Sequence, residues 1–149
     1  MIKIIKEPCG DVYKRLLSYA FEQCEAFILV DRHSFTLSEQ GENFLKALKS
    51  EIVDIDVEQS WPGTKLEDGF ANIYRFKTSE HALSVLEAHT SRLYEWLKPH
   101  LLEDLIFYKE HYEPWLVTIS QEEMSWIQTD DVETCCKKLK EIGIVYKLD

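Results

Sequence analysis

The sequence predicts an α+β fold in one domain spanning residues 1–149. The expected architecture is a mixed, largely antiparallel sheet of about five to six strands with about four helices packed on it. Three observations lead there. Segments with apolar residues at helical spacing alternate with short strand-like runs, in the order αβαββαββα. Several of those runs are joined by short links, which suit antiparallel neighbours. No internal repeat, low-complexity tract or Pro/Ser-rich linker divides the chain.

Pro8, Cys9 and Gly10 break the chain before a first helix from about Asp11 to Cys24, with Asp11 as its N-cap. Val12, Tyr13, Leu16, Leu17, Ala20, Phe21 and Cys24 give it one broad apolar face. Ala26–Val30 is apolar without alternation, as expected of a central strand covered on both faces. Ser38 caps a second helix whose buried stripe is Phe44, Leu45 and Leu48. Val53, Ile55 and Val57 then alternate with Asp54, Asp56 and Glu58. This predicts a half-buried strand with its apolar face packed and its acidic face in water.

Trp61-Pro62-Gly63-Thr64 reads as a type II turn, with Pro62 fixing φ and Gly63 supplying a positive φ. Phe70–Lys77 is a further strand. A long helix, roughly Glu80–Leu97, follows Ser79 as cap and stops before Pro99. Leu105–Tyr108 and Trp115–Ile119 are short strands that suggest a hairpin through Lys109–Pro114. A last helix from about Asp131 to Ile142 carries Val132, Cys135, Cys136, Leu139 and Ile142 on one face. Asp130 and Glu133 stand at capping-box spacing, and Gly143 sits at its C-terminal end. Ile144–Leu148 adds an edge strand.

Charge narrows the function classes. The formal net charge is −10, and residues 1–50 balance seven Lys/Arg against seven Asp/Glu, so the excess lies after residue 50. Such a surface repels phosphate backbones and anionic lipids, which argues against nucleic acid or a membrane as partner and favours a basic protein. No apolar run is long enough to span a bilayer, and the first residues lack a secretory-signal pattern. The expected location is the cytoplasm. There, Cys9, Cys24, Cys135 and Cys136 are expected as free thiols, with the adjacent pair serving as small core residues rather than a redox couple.

Two stretches together, Ser60–Leu66 and Glu103–Tyr108 leading into Pro114–Ser120, resemble a family of small uncharacterised Bacillus-type proteins. Its members are sometimes labelled stage III sporulation protein AH-like. The likeness runs over most of the chain. It implies a small bacterial protein of unknown function and transfers no catalytic residue.

The residues themselves offer few sites. No G-x-S-x-G elbow, G-x-G-x-x-G run or P-loop occurs, and five glycines are too few for a phosphate-wrapping loop of that kind. No cofactor or metal is therefore expected. Among the histidines His33, His81, His89, His100 and His111, the pair His81 and His89 stand about two helical turns apart, too far for one ion. His100 with Glu103 and Asp104, or His111 with Glu113, offers mixed N/O ligands on predicted loops. The acidic strip Asp54, Asp56 and Glu58 offers an electrostatic contact. Trp61, beside Gly63 in its turn, and Trp115 after Pro114 stand near loop ends, where tryptophan either covers the edge of the core, the commoner case, or anchors an interface.

Asp54, Asp56, Glu58, Trp61, Gly63 and Trp115 thus form the candidate binding set. The first reading is a non-enzymatic adaptor or immunity-type inhibitor that meets a basic protein through its acidic surface. The second is a small hydrolase or metal-dependent enzyme in which His100, Glu103, His111 and Glu113 converge only on folding. The third is a structural subunit of a homo-oligomer, joined through its last strand or a helix face.

Overall fold

Ala26–Val30 is apolar at every position because both faces of its strand are covered. In the computed structural model, which describes residues 1–149, Phe27 and Leu29 enter a large core under the helices. Ile28 and Val30 enter a smaller core on the other face. The strands in chain order are β1 (Ile2–Ile4), β2 (Ala26–Arg32), β3 (Ile52–Glu58), β4 (Ser60–Trp61), β5 (Thr64–Lys65), β6 (Ala71–Lys77), β7 (Glu103–Tyr108), β8 (Pro114–Ile119), β9 (Met124–Ile127) and β10 (Tyr146–Leu148). Eight of them form one sheet in the order β10-β1-β9-β8-β7-β2-β6-β3, and β4 and β5 form a separate hairpin.

Every pairing in the large sheet is antiparallel. The α+β class and the single domain agree with expectation. The expectation of a largely antiparallel sheet agrees too, and its strand count of about five to six is corrected to eight, with no parallel pairing among them. The additions are β1 and β9. Segments of three and four residues are too short for alternation to stand out from the surrounding sequence.

Four helices, α1 (Gly10–Gln23), α2 (Glu39–Ala47), α3 (Glu80–His89) and α4 (Val132–Ile142), contribute to the large core and not to the small one. Phe27 stacks on Phe76 at 5.1 Å beneath them, and Tyr19 of α1 meets the edge of Trp115 at 5.3 Å. Ser38 and Ser79 cap α2 and α3 through side-chain oxygens that accept from Gly41 N and Ala82 N. Gly143 ends α4 at φ 102°. Asp131, rather than Asp130, caps α4 by accepting from Thr134 N. Helix α1 starts behind Cys9, so Asp11 is not its cap. It lies in the first turn, where its charge favours the helix N-terminus.

The predicted long helix Glu80–Leu97 ends at His89. Thr90 turns extended there. Its hydroxyl donates to Leu86 O at 2.7 Å and meets Tyr13 Oη at 2.6 Å. The chain beyond redirects Leu93, Tyr94 and Trp96 into the core, where Trp96 Nε1 donates to Tyr13 Oη. No helix is long and apolar enough to cross a membrane.

Candidate functional site

Strand β3 is the long open edge of the sheet. It pairs only with β6, so along its outer side the backbone has no strand partner. The other edge, β10, is three residues long against seven for β3. The predicted packed apolar face of β3 is corrected by burial. Val53 is 57 %, Ile55 50 % and Val57 59 % exposed. The physical reason is position, because the strand period fixes which side chains share a face but not whether anything covers that face.

A bulge between Ile52 and Asp54 also breaks the single alternation. The register sets Ile52, Ile55 and Val57 opposite Phe76, Tyr74 and Asn72, on the helix side. Asp54, Asp56 and Glu58 stand opposite Arg75, Ile73 and Ala71, on the other side. Val53 joins that second side, where it lines a cleft of about 340 Å³ with Asp54, Arg75 and Tyr112. The Arg75 guanidinium lies 4.5 Å from the Tyr108 ring and 5.1 Å from that of Tyr112, and donates to His111 O. On the helix side, Ile52 and Tyr74 border a cleft of about 310 Å³ beside Leu45. The ion pairs of the protein engage Glu7, Asp31, Glu51, Glu103 and Asp104. Asp54, Asp56 and Glu58 have none.

The chain leaves β3 into the β4–β5 hairpin, which folds over the small core. Here the two tryptophans are core residues rather than anchors open to a partner. Trp115 is 2 % exposed in the large core, and Trp61 is 7 % exposed in the small one. Each lies in a strand, which aims its ring at the sheet interior. Gly63 turns the hairpin at φ 89°, and a Cβ there would meet Ile119 Cγ1 at 3.0 Å. The candidate Gly63 is therefore a packing position under Ile119 and Trp126.

Trp61 is held by a buried charged group. Its Nε1 donates to Asp104 Oδ2 at 3.0 Å, and Ser120 N donates to Asp104 Oδ1 at 3.1 Å. Arg32 stacks over the Trp61 ring at 5.2 Å. Its Nε lies 2.9 Å from Glu103 Oε2, close enough for an ion pair but not aligned for a hydrogen bond. Asp104 sits at the β2–β7 bulge with φ 56°, in the left-handed region that non-glycine residues seldom adopt. Burial pushes both carboxyls above their ordinary range, against the opposing pull of Arg32 on each and of the Trp61 and Ser120 hydrogen bonds on Asp104. The group acts as a latch that ties the hairpin to β7.

His100, Glu103, His111 and Glu113 do not come together. Glu103 starts β7 and is buried with Arg32, whereas His111 and Glu113 follow its far end, about 17 Å along the strand. His100 bonds Ser38 Oγ at 3.0 Å, and His111 N donates to Glu25 Oε1. No group of three His, Cys, Asp or Glu side chains is placed to hold a metal ion. Burial pushes the Cys24 thiol up to about 12 and raises that of Cys135, which lowers their thiolate fractions.

Sequence reasoning missed Arg32, Arg75, Tyr74 and Tyr112 as neighbours of these sites. The signal for the latch was present. Glu103 and Asp104 interrupt an apolar run from Leu101 to Tyr108, and carboxylates inside a buried strand require a cation or donors nearby. The chain matches no family model, no curated protein and no solved structure.

Proposed function

We propose that this protein is a non-enzymatic protein-binding module that engages a basic partner along the open edge of β3. The observation that carries the reading is the exposure of Val53, Ile55 and Val57 on an edge strand with unpaired backbone groups. Proteins usually blunt such an edge because it templates pairing with another chain. Here the protection is a row of carboxylates, which repels some partners and attracts others. The net charge of −10, whose excess lies after residue 50, adds to that bias. The hydrolase or metal reading has less support, because its four residues lie in separate places.

The test is affinity capture from the cytoplasmic fraction of the source cells, at low and high salt. Wild type is compared with the Asp54→Lys/Asp56→Lys/Glu58→Lys variant. The expected result is a stoichiometric basic protein retained by wild type, released as salt rises and lost from the variant. A partner retained equally by both proteins, or none with wild type, overturns the reading.

A further inference from the structure

We infer that the occupant of the β3 edge is an extended segment of another protein in which Lys or Arg alternates with aliphatic residues. This rests on the reading above and adds the identity of the segment. Strand addition supplies backbone hydrogen bonds, so the choice among segments falls to the side chains on either face of the new strand. On the helix side the next strand would lie beside Ile55 and Val57, both half exposed or more. Aliphatic side chains there would cover surface that the helix layer leaves bare.

On the other side the new strand would lie beside Asp54, Asp56 and Glu58. Asp54 already stands across from Arg75 on β6, whereas Asp56 and Glu58 stand across from Ile73 and Ala71. The two carboxylates without a cation opposite them are therefore two residues apart, on one face. The complement is a pair of Lys or Arg residues two positions apart, each flanked by residues facing the helix side.

A second copy of this chain fits poorly. Antiparallel pairing centred on Ile55 sets Asp54 against Asp56 of the other copy. Centring on Asp56 sets that carboxylate against itself and Asp54 against Glu58. Like charges directly opposite are destabilising, so this strand is built against pairing with itself.

The probes are three fluorescein-labelled peptides: alternating Val-Lys-Val-Lys-Val-Lys, block Val-Val-Val-Lys-Lys-Lys, and alternating Val-Glu-Val-Glu-Val-Glu. Anisotropy titrations give affinity, amide exchange locates the contact, and sedimentation gives the mass of the protein alone. The alternating Lys peptide is expected to bind about tenfold tighter than the block peptide of equal charge, and to protect β3 amides. The Glu peptide is expected not to bind wild type but to bind the Asp54→Lys/Asp56→Lys/Glu58→Lys variant, an exchange of preference that a misfolded variant would not show. Equal binding of alternating and block peptides, or a dimer of the protein with protected β3 amides, overturns the inference. Capture that depends on β3 in cells while the peptides show no preference overturns the occupant alone. Capture that ignores β3 overturns the proposed function as well.

Discussion

Asp104 joins the β4–β5 hairpin to β7 and to the turn after β8. It accepts from Trp61 and Ser120, stands 3.9 Å from Arg32 and holds a left-handed backbone at a bulge. Asp104→Ala leaves two donors unpaired and weakens the compensation of Arg32. It should cost about 2–4 kcal/mol of stability by urea denaturation, with Asp104→Asn costing less because it keeps one acceptor. Burial also favours the protonated forms of Glu103 and Asp104 in the folded chain. Their contribution to stability is then full below the ordinary carboxylate range and is lost as pH rises through the raised values. Relative to the Glu103→Gln/Asp104→Asn variant, wild type should therefore gain stability as pH falls from about 7 to about 4. A difference between the two that is flat with pH would refute this.

At the level of elements, the β4–β5 hairpin is a lid on the small core and depends on its turn. Gly63→Ala puts a Cβ at a positive φ and against Ile119. The expected loss is about 1–3 kcal/mol, with faster amide exchange across Gln59–Leu66 and little change in α1. Helix α3 depends on Ser79, whose hydroxyl accepts from Ala82 N and donates to Glu51 Oε1 at 2.8 Å. Ser79→Ala should lower stability by about 1–2 kcal/mol, measured by thermal unfolding, because the cap and the buried acceptor lose their partner together. The β3 strand contrasts with both, since half or more of the surface of Val53, Ile55 and Val57 is open to solvent. Polar substitutions there should shift stability by less than about 0.5 kcal/mol, while changing what binds.

For the whole molecule, the sheet is covered unequally. Helices bury one face, and on the other the lid covers only the part near Trp61, leaving the Arg75–Tyr112 end and β3 open. The acidic balance falls on the same side of the chain sequence, after residue 50. Reversing Asp56 and Glu58 to Lys, and leaving Asp54 opposite Arg75, moves the formal charge from −10 to −6, two units for each site. This should raise or preserve the thermal midpoint at low salt by easing self-repulsion, and the gap from wild type should narrow as salt screens both proteins. A midpoint that drops sharply would mean that Asp56 and Glu58 support the fold.

The sequence by itself determined the α+β class, the buried Ala26–Val30 stretch of β2, two of the four helices nearly to the residue, and the caps at Ser38, Ser79 and Gly143. These are local matters, because side-chain periodicity and backbone conformational preference act over a few neighbouring residues. The alternation of Val53–Glu58 was legible in the same way, and so was its acidity. Only the tertiary structure decided that its aliphatic residues would lie at an open edge, that a bulge would turn Val53 to the acidic side, and that Trp61 would be latched inward by Asp104. It also decided that α3 would stop at Thr90, whose hydroxyl meets Tyr13 from a distant helix. Burial depends on which elements come to rest on a face, and those elements are remote in sequence. A local pattern says how a strand divides its side chains, and the fold determines which side remains in water.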